Sequence, residues 1–114
     1  QNITNIDIEG LRKKFGHNKS WAVRLTFNKR FGGVAIQQLP GEGNRLHQHR
    51  DSAECWIILK GKWKWFIEGK GDVEISEGSI VNVPEKTYHR ITCIGNEPGI
   101  RIAVAAPDVD HVYK

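Results

Sequence analysis

The chain contains no apolar run close to the roughly 18 residues that a membrane-spanning helix requires, which excludes a helical span. It has only two cysteines, Cys55 and Cys93. That is too few for a disulfide framework, and the expectation is free thiols in a cytoplasmic protein. Helical periodicity is scarce, and there is no internal repeat, low-complexity stretch or change of composition to mark a second domain. The excess of one charge sign is slight: 17 Lys and Arg against 13 Asp and Glu give +4. The basic residues are dispersed, the longest run being Arg12-Lys13-Lys14, so no nucleic-acid partner is expected. A modest positive field does favour anionic ligands. The chain begins at Gln1 and not at Met, which reads as a processed or trimmed start with no signal peptide left to identify.

The 114 residues, 39% hydrophobic and 26% charged, suit one soluble domain with its own core. Short strands separated by turn signals dominate. Trp21, Val23, Leu25 and Phe27 alternate with Ala22, Arg24 and Thr26, the period of a half-buried strand. Gly32-Gly33 breaks that run, and Val34 to Gln38 follows. Pro40 to Asn44 is a loop, then Arg45 to His49 and Glu54 to Leu59 are strands. Trp63, Trp65 and Ile67 alternate with Lys62, Lys64 and Phe66, and Gly69 to Asp72 turns the chain back. Ser79 to Val83, Tyr88 to Ile94 and Ile100 to Ala105 complete the set, and Ile8, Leu11 and Phe15 allow one short N-terminal helix. The expected class is all-β, a sandwich or barrel. Residues 1–19 form an N-terminal segment, 20–107 the barrel and 108–114 a tail.

Histidines carry the chemical signal. His47 and His49 lie two apart in an expected strand and so project from one face. Glu54 opens the next strand, and His89 follows Pro84 much later in the chain. A closed β shell can bring all four to one point. Taken singly, a histidine on a strand is more often a hydrogen-bonded core or surface residue than a ligand, and the bare His-x-His pair leaves the two readings even. Asp108, Asp110 and His111 read as part of an exposed tail, with a second metal site as the alternative.

The glycines and proline around these residues make the chain resemble a known family. Gly41, His47, His49, Glu54 and Gly61 match the first motif of the cupins, G-x5-H-x-H-x4-E-x6-G, at every named position. Gly78, Pro84 and His89 match the second, G-x5-P-x-G-x2-H-x3-N, with Lys86 in place of glycine and Cys93 in place of asparagine. The resemblance implies a single-domain jelly-roll β-barrel. It also implies that His47, His49, Glu54 and His89 hold one divalent transition metal, and such an N/O donor set suits Fe, Mn, Co, Ni or Zn. Four protein ligands on a six-coordinate ion leave places for substrate, as a catalytic site requires. Lys86 takes positive φ less readily than glycine, so it either brings a cation to the cavity mouth or faces water.

Strand parity extends the set. Arg45, two residues before His47, either clamps a carboxylate or phosphate inside the barrel or, if the strand starts later, points into solvent. Trp56 shares parity with Glu54 and is expected near the metal. Trp63 and Trp65 either pack the core or form a stacking platform for a sugar, and Trp56 and Trp65 join Arg45 as candidate substrate-binding residues. Cys93 is expected inside and Cys55 outside, which argues against a bridge between them.

Two functions fit. One is a metal-dependent enzyme acting on a small anionic metabolite or sugar derivative, as a dioxygenase, decarboxylase, isomerase or lyase. No second inward carboxylate is evident as a separate general base, so metal-centred chemistry is expected. The other is a non-catalytic metal-containing module that binds a sugar or effector. By the same resemblance the chain is expected to pair as a homodimer, with Ile3, Ile6 and Ile8 available to add a strand to a neighbour.

Overall fold

The computed structural model describes residues 2–48, 53–107 and 112–113. One helix, α1 (Ile8–Phe15), precedes ten strands: β1 (Trp21–Phe27), β2 (Gly32–Gln38), β3 (His47–Gln48), β4 (Glu54–Lys60), β5 (Lys62–Ile67), β6 (Gly71–Ser76), β7 (Ile80–Val83), β8 (His89–Ile94), β9 (Gly99–Ala105) and β10 (Val112–Tyr113). They form two five-stranded antiparallel sheets, ordered β1-β2-β9-β4-β7 and β10-β3-β8-β5-β6. The architecture is a jelly roll, as expected from the sequence.

The core lies between the sheets. Trp56 and Ile58 from β4 and Val81 and Val83 from β7 meet Trp63, Trp65, Ile91 and Cys93 from β5 and β8. All eight are buried. The alternation that predicts these faces is visible in β5, where buried Trp63 and Trp65 alternate with exposed Lys62 and Lys64. Hydrophobic burial of this kind is the dominant stabilising contribution, and aromatic side chains bring the most area to it. Two close approaches require glycine, one between the sheets and one where the loop before β3 bridges to Thr92 of β8. A Cβ on Gly99 would stand 2.6 Å from the Trp63 ring, and one on Gly43 only 2.1 Å from the Ile91 carbonyl oxygen.

The N-terminal helix forms as its pattern predicts. Asp7 caps it by accepting a bond from the Glu9 N–H, Glu9 lies in its first turn, and Arg12, Lys13 and Lys14 lie in its last. Each charge complements the helix dipole. The helix is tied to the outer face of β2 by Gln37, which is fully buried. Gln37 Oε1 accepts from Arg12 Nε at 3.2 Å, while its Nε2 is within 3.2 Å of the Gly16, His17 and Lys19 carbonyl oxygens.

Two details depart from the sequence expectation. Gly32 and Gly33 do not interrupt the sheet but open β2, pairing with Phe27 and Thr26. The alternation in β1 breaks at a bulge between Arg24 and Thr26. One extra residue there reverses the phase, so Phe27 leaves the face of Trp21 and Val23 and joins that of Arg24. Asn2 is bonded to β1: its N–H donates to the Leu25 carbonyl, and its side chain bonds both backbone groups of Phe27. No helix among the described residues is long and apolar enough to cross a membrane.

Candidate metal centre

Three of the four side chains singled out in the sequence converge. His47 on β3 and His89 on β8 are paired residues of one sheet, with ring centroids 4.2 Å apart. Glu54, the first residue of β4, reaches them from the other sheet, and its Oε1 lies 3.6 Å from His89 Nε2. One donor atom from each of His47, Glu54 and His89 lies within 4.8 Å of the others. His47 and His89 are buried, and the Glu54 side chain is 10% exposed. His49 lies outside the described residues, as do Asp108, Asp110 and His111.

The donor chemistry fits a divalent ion. His47 Nδ1 sits 2.6 Å from the carbonyl oxygen of Arg45, and His89 Nδ1 sits 2.9 Å from that of Thr87, in each case two residues upstream. A carbonyl only accepts, so each Nδ1 carries its proton and each Nε2 is the basic nitrogen. That arrangement fixes the tautomer and ring orientation in which imidazole ligates a metal. Two neutral imidazoles and one carboxylate are an N/O set for a borderline divalent ion.

The other candidates are placed as follows. Trp56 and Trp65 form the wall behind His89, with ring centroids 5.8 and 5.3 Å from its ring and 4.5 Å from each other. Both are at most 2% exposed. They therefore pack the interior beneath the histidines and present no open stacking face, and Trp63 is equally buried. Trp63 Nε1 donates to the Lys60 carbonyl oxygen at 3.1 Å. The indole N–H groups of Trp56 and Trp65 are buried and make no hydrogen bond to the described residues. Of the two readings left open for Arg45, the structure matches the one in which the strand starts later. The strand starts at His47, so Arg45 is exposed and lies over the Tyr113 ring, 4.5 Å from its centroid. The Tyr113 ring in turn stands 6.0 Å from that of His47. Lys86 is exposed and adopts the left-handed conformation of the glycine it replaces, with φ of 61°.

Sequence reasoning missed Arg101 on β9. Its guanidinium is stacked 4.7 Å from the Trp56 ring centroid and 5.1 Å from that of Trp63, and it donates to Gln38 Oε1 at 2.8 Å. Burial pushes its pKa down to about 10, while the Glu54 carboxylate pulls it back upward. A fixed cation thus lies on the core side of the site. The available signal was position: β9 is apolar on both faces, so an arginine within it must point into one of them.

A cavity of about 230 Å³ meets the cluster at Glu54, with Glu54, Ala103 and Ala105 on one side and Arg24, Phe27 and Gly32 on the other. A larger depression of about 440 Å³ around Gly61, Lys62, Glu77 and Asn96 holds none of the three ligands. Another cavity of about 310 Å³ also touches Glu54, but Cys55, Asn82 and Val104 place it on the opposite face of the sheet. The 230 Å³ cavity lies on the inward face that Glu54 shares with Ala103 and Ala105, so it is the relevant one.

Residues 36–105 match the family model described as "Cupin domain". Among curated proteins, glucose-6-phosphate isomerase of Pyrococcus furiosus is 35% identical over 72 residues, covering 60% of this chain and 38% of that protein. The chain thus matches well under half the length of that relative. Among solved structures, a Thermus thermophilus protein superposes with a TM-score of 0.78 at 20% identity, covering 92% of this chain and 98% of that one. An RmlC-like cupin of Methanocaldococcus jannaschii with a double-stranded β-helix fold gives 0.71 at 24% identity, covering 79% and 82%.

Proposed function

The chain belongs to the cupin domain family, and on that premise we propose that it is a metal-dependent enzyme acting on a small sugar derivative, with aldose–ketose isomerisation as the reaction. The observation that carries this reading is the convergence of His47, Glu54 and His89 within 4.8 Å from two sheets. His49, which completes the family's motif, is the fourth ligand in this proposal. The choice of isomerase over oxygenase, decarboxylase or lyase rests on the 35% identity to glucose-6-phosphate isomerase of Pyrococcus furiosus.

A divalent ion bound there supplies Lewis acidity to substrate oxygens. The chain's own part is to hold and orient. The carbonyls of Arg45 and Thr87 keep Nε2 of each histidine turned to the ligand. Trp56 and Trp65 close the site from behind and exclude bulk water, which strengthens electrostatic interactions within it. The cavity beside Glu54 admits a molecule of sugar size. The two thiols, Cys55 and Cys93, are both free, in keeping with a cytoplasmic protein. Pairing of two copies is part of the same reading, and gel filtration at about twice the 12.9 kDa chain mass tests it.

The experiment is a coupled isomerase assay on metal-loaded protein with phosphorylated aldoses and ketoses. Turnover that chelator abolishes and added metal restores is the expected result. Tight metal binding with no turnover on any of them contradicts the isomerase and favours the binding module.

A further inference from the structure

The cavity has a second chemical end, built by the irregularity in β1. Across the sheet the paired residues run Glu54, Ala105, Gly32, Phe27. These belong to four adjacent strands, so Glu54 and Phe27 stand about 14 Å apart along the sheet at ~4.8 Å per strand. The two residues between them are the smallest available, which leaves the floor of the cavity flat and open. The bulge between Arg24 and Thr26 then puts Arg24 on the same face as Phe27. Its guanidinium lies over the Phe27 ring, 4.6 Å from the centroid, and both residues line the cavity with Glu54. Among the described residues no carboxylate pairs with Arg24. Bulges recur beside functional sites because they re-aim a side chain in this way.

From this we propose that Arg24 is the anion-binding residue of the cavity, holding the terminal phosphate or carboxylate of a sugar whose other end lies at His47, Glu54 and His89. The inference rests on the reading of that cluster as the substrate site and adds to it the residue that selects charged substrates. A guanidinium offers a planar fork of donors that matches a phosphate or a carboxylate. Stacking on Phe27 restrains the side chain before the ligand arrives, so less freedom is lost on binding. The resulting trough has a cation at the Arg24 end and Glu54 of the proposed metal cluster at the other, with small apolar residues between, and it suits a molecule with oxygens at both ends.

The test is calorimetric titration of the metal-loaded protein with glucose 6-phosphate, glucuronate and glucose, for wild type, Arg24→Gln and Arg24→Lys. The wild type should bind at least one of the two anionic sugars at least tenfold more tightly than glucose, the size expected for a hydrogen bond to a charged group. Arg24→Gln should erase that advantage while leaving glucose and metal binding unchanged, and Arg24→Lys should keep part of it. Whether phosphate or carboxylate is the natural terminus follows from which of the two gains more. The inference is overturned if wild type shows no preference for an anionic sugar, or if the preference survives in Arg24→Gln. Metal titration of the same samples separates the two readings. Wild type that takes up no metal defeats the proposed function, and the anionic and neutral sugars are then compared on the metal-free protein, where the same two outcomes decide for or against Arg24.

Discussion

Glu54 and His89 belong to opposite sheets of the sandwich, and 3.6 Å separates the carboxylate oxygen from the imidazole Nε2. With His47 beside them, they form a polar contact between the two sheets. An ion gripped there ties β4 to β3 and β8 and binds the folded chain alone, since the three donors disperse on unfolding. At a free metal concentration a hundredfold above the dissociation constant, the fold gains about 2.7 kcal/mol. Scanning calorimetry should show the melting temperature rising by roughly 10 °C with Zn, Ni or Mn. An unchanged transition contradicts the cluster as a metal site.

The tryptophans are distinguished by their indole nitrogens. Trp63 and Trp56 both stack on Arg101, but among the described residues only Trp63 has a hydrogen-bond acceptor, the Lys60 carbonyl oxygen. Trp63→Phe should therefore destabilise the protein by about 1 kcal/mol more than Trp56→Phe, the net worth of one buried hydrogen bond. Urea unfolding of the two variants measures the difference, and equal losses contradict the assignment.

Lys86 stands in left-handed backbone, φ 61°, where the family's second motif has glycine. Its side chain is exposed. Restoring glycine should relieve strain and stabilise the fold by about 1 kcal/mol, the usual cost of that conformation to a residue bearing a Cβ. A lower melting temperature for Lys86→Gly is the contrary result.

The two thiols should differ in reactivity. Cys93 is fully buried, and burial raises its pKa above the ordinary thiol value of 9.0, whereas Cys55 is partly exposed. Native protein at pH 8 should consume one equivalent of a thiol reagent quickly and the second only on unfolding. The linkage has a definite sign. The unfolded thiol ionises first, so the contribution of Cys93 to stability is intact below pH 9 and is lost as pH rises towards its folded pKa. In Cys93→Ala that part of the alkaline decline should disappear, and an identical pH profile contradicts the burial argument.

Much of this was legible in the sequence because it depends on local pattern. Alternation placed Trp56, Trp63, Trp65 and Cys93 inside, and the resemblance to the cupin motifs assigned His47, His49, Glu54 and His89 to one site, of which the three described residues converge. What escaped depends on where strands begin and slip. Arg45 admits two readings because a start point leaves no periodic trace; β3 begins at His47 and Arg45 is exposed. The bulge after Arg24 moves Phe27 to the other face, which strict alternation cannot register. Gln37 and Arg101 are polar residues whose burial comes from tertiary partners: the segment from Gly16 to Lys19 for one, and the rings of Trp56 and Trp63 for the other.

The most direct test counts metal. Wild-type protein, loaded with a divalent ion and freed of excess by gel filtration, should retain close to one ion per chain by elemental analysis. Glu54→Gln, which keeps the side-chain volume and removes the charge, should retain far less while preserving the β-sheet circular dichroism. Wild-type protein that emerges empty, or a Glu54→Gln variant that holds as much metal as wild type, contradicts the account at its centre.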